Sequence, residues 1–388
     1  MGERQAIDSG GSTRPRRRNR VAGSAHLLAA VAVAVTSSVG VLPNDVRAAD
    51  PAILLSADDV GAPGNGPSGL GLLDADVTGD YIVFDSEAAN LAAGDTDTTG
   101  DIFLRDREAG DFTALVSSDE FGISLGLAAY NPVIAGDGTA VAFEGKAPSA
   151  PGPFDGSASD IWLRDLATPG AFPLLPTDDF AAPDGESVPW SMSDDGRWIL
   201  VSSAATNLDV AAPGADDTIT DLYVVDRDGD GNGVFDDTAP ALTPITAAWD
   251  GGATDGPVRS ADMSADGRYV VMASEATNLV DGYTPACAAP CLQVYGIDRD
   301  PDGNGVLDET PPTIELLSGD VAFPPGEPSY DPSVADTGDV AFATEAPELG
   351  GAAGSPQVIV LTATGTETVA SGYGPVIADD GDRIAFFD

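Results

Sequence analysis

Residues 263–279 read MSADGRYVVMASEATNL, and the chain contains this phrase more than once. MSDDGRWILVSSAATNL at 192–208 and VTGDYIVFDSEAANL at 77–91 align with it over their cores without gaps. Weaker copies are IAGDGTAVAFEG at 134–145, VADTGDVAFATEAPEL at 334–349 and IADDGDRIAFFD at 377–388. Each places a glycine in a turn and follows it with a β-branched and aromatic run, the signature of a turn entering a strand. The turn glycines at 79, 138, 196, 267, 338 and 381 are 59, 58, 71, 71 and 43 residues apart, which makes six structural units.

A second module follows each run. It reads DIFLRD at 101–106, DIWLRD at 160–165, DLYVVD at 221–226, QVYGID at 293–298 and, more loosely, QVIVLT at 357–362. Each alternates apolar and polar as a half-buried strand does. A third run comes next (FTALVSS from Phe112, ALTPITA from Ala241, TIELLSG from Thr313), and a short apolar stretch such as 188–193 precedes the glycine turn. Four short strands per unit, repeated radially, describe an all-β, six-bladed β-propeller. The expected blades are about 69–118, 130–176, 188–247, 258–319, 328–371, and a composite sixth of 374–388 with 52–57. The composite follows because LLSADDVG from Leu54 resembles LVSSDEFG from Leu115 and LLPTDDFA from Leu174, which are fourth strands running into a following blade. Clasping the two chain ends together hides edge strands that an open array would expose.

SADGRYV from Ser264 and SDDGRWI from Ser193, each followed by ATNL and later by an Asp-x-aromatic-aliphatic-x-Asp strand, resemble the WD-like repeats of the TolB-type β-propeller family. The resemblance covers nearly all of 50–388 and is strongest in the third and fourth units. It implies an exported propeller that acts as a protein-interaction or binding platform. Some relatives carry a fused serine peptidase domain, and nothing in this sequence corresponds to one.

Composition narrows the chemistry. Among 388 residues, 17 Lys and Arg face 63 Asp and Glu, a net charge of −46, so unaided nucleic-acid binding is excluded. Residues 1–48 read as an export signal: a basic segment with Arg14, Arg16, Arg17, Arg18 and Arg20, an apolar core from Ala25 to Val35, and Val46-Arg47-Ala48 before a cleavage at Ala49. The apolar core is shorter than the roughly 20 residues of a membrane helix, which argues against an uncleaved anchor. Arg17-Arg18 also fits a twin-Arg signal, without the Phe or Leu usually found nearby. The mature chain, 49–388, keeps 10 basic and 60 acidic residues, a balance of −50, and no histidine, since His26 leaves with the signal. Ser-His-Asp catalysis and imidazole-bound zinc are thereby excluded. The expected product is an extracytoplasmic monomer with no membrane span.

Two insertions fall just after the third strand of adjacent units: DRDGDGNGVFDD from Asp226 and DRDPDGNGVLDE from Asp298. Asp298, Asp300, Asp302, Gly303 and Glu309 fit the calcium-loop spacing, and the first copy fits with Asp237 in last place. The candidate ligands are Asp226, Asp228, Asp230, Asn232, Asp236 and Asp237, and Asp298, Asp300, Asp302, Asn304, Asp308 and Glu309. A second register, from Asp228 or Asp300, leaves the ligand numbering open. Strand flanks, and glycine at 233 and 305 where a hydrophobic anchor is usual, imply weak structural Ca2+ binding. The competing account is an Asp-Gly turn of the kind hairpins favour. GDTDTTGD from Gly94 is a fainter third candidate, read first as a polar loop.

Cys287 and Cys291, four apart in PACAAPC, are expected to close a local disulfide. Trp249 in AAWDGG has no evident strand role and is the candidate contact residue. Asp58-Asp59, Asp119-Glu120 and Asp178-Asp179 could serve as the paired carboxylates of a glycan hydrolase or lyase, but recurrence at equivalent positions points to a turn. The expected function is therefore non-enzymatic: a rim that binds a protein or cell-envelope component, with no catalytic residues or organic cofactor.

Overall fold

A computed structural model describes residues 54–387, apart from 109, 147–157, 176, 178–181, 209–218, 237, 288–290, 309–312 and 320–324, together with 25 and 26. The remainder of the expected export signal, the Asp178-Asp179 pair, Asp237 and Glu309 lie outside the described residues.

The fold is all-β. Its successive units are antiparallel meanders in which each strand pairs with the next in sequence. The first sheet runs Ser68–Ala75, Tyr81–Ser86, Asp101–Asp106, Phe112–Leu115. The second runs Ala128–Ile134, Ala140–Lys146, Asp160–Asp165, Phe172–Pro173, and the third Ser187–Met192, Trp198–Ser203, Asp221–Asp226, Ala241–Pro244. The fourth holds Val258–Met263, Tyr269–Ser274, Gln293–Asp298, Ile314–Leu316, and the fifth Ser329–Val334, Val340–Thr344, Gln357–Thr362, Gly365–Ser371. Among the described residues the sixth has two strands, Tyr373–Ile377 and Ile384–Phe387. A two-residue strand, Ala25–His26, pairs with Leu72 and Leu73 at the inner edge of the first sheet.

The expected clasp between 52–57 and the last sheet is not drawn by any ladder among the described residues. Residues 52 and 53 lie outside them, Leu54 and Leu55 belong to no strand, and Ala57 bridges to Pro63 instead. That bridge repeats the Ser118–Ser124 bridge between the first and second sheets. The segment at 57–63 is thus the connection that leads into the first sheet.

Alternation buries one side of each strand against the neighbouring sheet. Ile161, Leu163 and Val133 of the second sheet pack with Ile199, Val201 and Val225 of the third, and Leu200 and Val224 on the other side of the third pack with Val270 and Met272 of the fourth. Phe103, Trp162, Tyr223 and Tyr295, equivalent in their sheets, are all buried. The inner strands break register within themselves, and four carry proline at the break: Pro132, Pro189, Pro332 and Pro375. Proline cannot donate to a ladder, so it is tolerated where a bulge already interrupts one.

All six turn glycines sit at φ between 70° and 79°, a region where a side chain is strained. The turns are also tied to one another. Val77 N–H donates to Gly136 O, Asp137 to Asp194 O, Asp194 to Ala265 O, Asp266 to the Asp336 carboxylate and Asp336 to Asp379 O, at 2.7 to 3.1 Å. A Cβ on Gly267 would lie 2.8 Å from Trp198 of the preceding sheet. The repeated ATNL has a structural role too. Asn90, Asn207 and Asn278 each accept a backbone N–H and donate to a carbonyl of the loop before their own inner strand. Inner strands are latched in the same manner: Asp74 accepts from Ile134 N and Asp262 from Val334 N, each in the next sheet.

Candidate functional site

The Asp-rich hairpins of the third and fourth sheets are built around arginine. Arg227 follows the third strand and is buried; it donates to the Gly196 carbonyl at 2.8 Å and pairs with Asp236. Arg299 does the same toward Gly267 and Asp308. Asp236 and Asp308 adopt φ of 60° and 62°, an uncommon conformation for a non-glycine residue that presents the carboxylate to the arginine. Arg197 grips Asp226 with two bonds of 2.8 Å, and Arg268 grips Asp298 with two of 2.7 Å. The Arg268 guanidinium holds the Asp298 carboxyl below the usual carboxylate range. Two cations lie over the Trp198 ring, Arg197 at 4.6 Å and Arg299 at 4.4 Å from its centre.

The remaining candidate ligands serve the loop itself. Asp228 accepts the Gly233 N–H at 3.0 Å and lies 3.6 Å from Arg197, while Asp300 accepts Asn304 and Gly305 N–H. Asp230 and Asp302 accept from Asn232 and Asn304, whose own carbonyl oxygens accept Val234 and Val306 N–H. The described ligand candidates therefore come together mainly with arginines and backbone amides, and no three of their carboxylates converge on one point.

The fainter third candidate does converge. Asp95, Asp97 and Asp101 each bring a carboxylate oxygen within 4.8 Å of the other two, the sole such group among the described residues. Asp101 begins a third strand and accepts from the Ser117 and Ser124 hydroxyls at 2.5 and 3.0 Å. Burial pushes its carboxyl up to about 6, and burial raises Asp95 as well, with the Asp97 charge adding to it.

At the end of the sheets away from the Asp-Gly turns, the connecting segments form matching four-residue turns. Gly61 N–H donates to Asp58 O, Gly122 to Asp119 O and Gly251 to Ala248 O. Their tips expose large apolar side chains: Val60 at 87%, Phe121 at 78% and Trp249 at 58%. Asp59, Glu120 and Asp250 sit beside them in sequence. A shallow cleft of about 340 Å3 opens next to Phe121, lined by Leu125, Pro169 and Phe172. Asp58 and Asp119, two of the paired acids, cap their own turns by accepting N–H from residues two and four ahead. Cys287 and Cys291 are joined in a disulfide in the connection that leads to the fourth sheet's third strand. Sequence reasoning overlooked Arg227 and Arg299; the signal available was an arginine enclosed by aspartates at the same place in two units.

No family model matches the chain, nor does any curated protein. Several solved structures are similar to it in part. TolB from Acinetobacter baumannii is 16% identical over 77% of this chain and 54% of its own, with a TM-score of 0.37. Prolyl oligopeptidase B from Galerina marginata, in its apo form, is 11% identical over 78% and 35%, with a TM-score of 0.42. The tricorn protease is 10% identical over 79% and 27%, with a TM-score of 0.43. This chain spans about half the length of TolB and about a third of the prolyl oligopeptidase.

Proposed function

We propose that the chain is an exported, non-enzymatic six-bladed β-propeller whose interblade hairpins dock a protein or cell-envelope component. The observation that carries this reading is the repetition of an exposed apolar tip beside an acid on three equivalent turns, at Val60, Phe121 and Trp249. Solvent-facing residues of this size, set on short turns of a rigid scaffold, are where binding loops are expected. Six repeated glycine turns, each of the first five tied by a hydrogen bond to the next, support six units in this reading. Export rests on the amino-terminal sequence and accords with the disulfide.

The two Asp hairpins serve in this reading as stiffeners. Calcium there remains a proposal that would draw on Asp230, Asp300 and Asp302, whose carboxylates pair with no arginine among the described residues.

A pull-down from the surface of the producing cell tests the docking rim. The chain should retain a partner that the triple variant Val60→Ser, Phe121→Ser, Trp249→Ser loses. Val234→Ser with Val306→Ser, at the other end of the sheets, should leave retention unchanged. Turnover of a polysaccharide by the purified chain, abolished by changing one acid, would replace this reading with a carboxylate-based hydrolase or lyase.

A further inference from the structure

The loop at 94–101 connects the second and third strands of the first sheet, and its acids have no cationic partner among the described residues. Asp95 is 4% exposed. Its Oδ1 accepts the Asp97 N–H at 3.2 Å, while its Oδ2 is buried without any donor. A buried carboxylate oxygen with no hydrogen bond is costly unless something outside the protein satisfies it. Two further carboxylates within 4.8 Å deepen the cost, because like charges at that range repel.

The latch that Asp101 forms does not itself require charge. At the same position the fourth sheet carries Gln293, whose amide oxygen accepts the Ser318 hydroxyl at 2.6 Å just as Asp101 accepts Ser117. The first three sheets place a carboxylate there, Asp101, Asp160 and Asp221, and among the described residues only the first adds two more acids, Asp95 and Asp97, beside it. All three donors are hard oxygens, with no nitrogen or sulfur ligand among them, a set that favours a group 2 cation over zinc or copper. Asp101 begins the third strand, and with three protein carboxylates water would complete the shell. Calcium accepts such irregular coordination more readily than magnesium does.

We propose that Asp95, Asp97 and Asp101 bind a calcium ion between the 94–101 loop and the 118–124 hairpin. Asp101 also accepts the Ser124 hydroxyl, and Gly94 O accepts the Ser124 N–H at 3.2 Å, so the ion would brace the hairpin that carries Phe121. This inference does not depend on the docking rim: the ion is detectable with no partner present.

The test is a calcium titration of the EDTA-stripped full chain, followed by calorimetry and by thermal melting. The expected result is binding that raises the melting temperature. Asp97→Asn, at an exposed position, should weaken it by more than about tenfold, at least the loss seen when an outer-shell metal contact is removed. Asp382→Asn, on an exposed turn of the sixth sheet, should bind as the wild type does. Asp95→Asn should melt higher than the wild type in EDTA, since it relieves the repulsion, and should gain nothing from calcium. The proposal is overturned if the wild type shows no heat and no melting shift at about 10 mM calcium, well above the range of extracellular modules. It is overturned equally if Asp97→Asn binds with wild-type affinity, or if Asp95→Asn still responds to calcium.

Discussion

The two Asp hairpins and the 94–101 loop are both crowded with acids, yet they handle the charge in opposite ways. Each hairpin encloses a buried arginine between an aspartate and the carbonyl of a turn glycine, so part of the negative charge is paired within the fold. The loop has fewer acids, no arginine, and one carboxylate oxygen left buried without a donor. Acid density along a sequence therefore says little about where a cation is needed. What matters is whether a guanidinium reaches the acids first.

The sharpest way to break this contrast is to remove the arginine. Arg299→Ala leaves Asp308 without its ion pair and the Gly267 carbonyl without its donor, and should cost about 3–5 kcal/mol in chemical denaturation. A loss below about 1 kcal/mol would mean that the hairpin acids do not depend on that buried pair.

Asp262 offers a third case, a buried acid satisfied by a backbone amide with neither arginine nor a carboxylate cluster. Burial pushes its carboxyl up to about 7, with the Asp74 charge adding to the effect. The folded state therefore holds a proton that the unfolded chain releases near pH 4, so this contribution is complete below that value and fades as pH rises toward 7. The slope should reach at most about 1.4 kcal/mol per pH unit in that window. Asp262→Asn should flatten it in melts across pH 4 to 7, and an unchanged profile would place the titration elsewhere.

Gly267→Ala combines a left-handed backbone with a Cβ pressed on Trp198, the ring that Arg197 and Arg299 lie over. A loss of about 1–3 kcal/mol is expected, and it should shrink when Trp198→Ala makes room. The smallest effect belongs to the apolar tips: Phe121→Ser should shift stability by less than about 0.5 kcal/mol, because the side chain touches solvent. A larger shift would show that the tip packs inward and is not free to dock.

Much of this was legible in the sequence. The glycine spacing and the alternating runs identified the sheets because positive-φ turns and half-buried strands constrain residue type strongly. The ATNL phrase was recognised as a repeat, but its purpose, clamping the loop before the inner strand through Asn90, Asn207 and Asn278, needs the third dimension. The hairpins read as metal loops because Asp226 to Asp237 and Asp298 to Glu309 keep calcium-like spacing. Spacing cannot reveal that Arg227 and Arg299 turn inward. The 94–101 loop reads in sequence as a fainter candidate and first as a polar loop, because spacing alone does not show that Asp95, Asp97 and Asp101 converge.

The turn-to-turn links have a consequence for amide hydrogen exchange. The N–H groups of Val77, Asp137, Asp194, Asp266 and Asp336 lie in short reverse turns, where exchange is ordinarily fast, yet each is donated to the adjoining sheet. They should exchange slowly and as a cohort, at the rate at which one sheet parts from its neighbour, making them five reporters of the seams that hold the scaffold together.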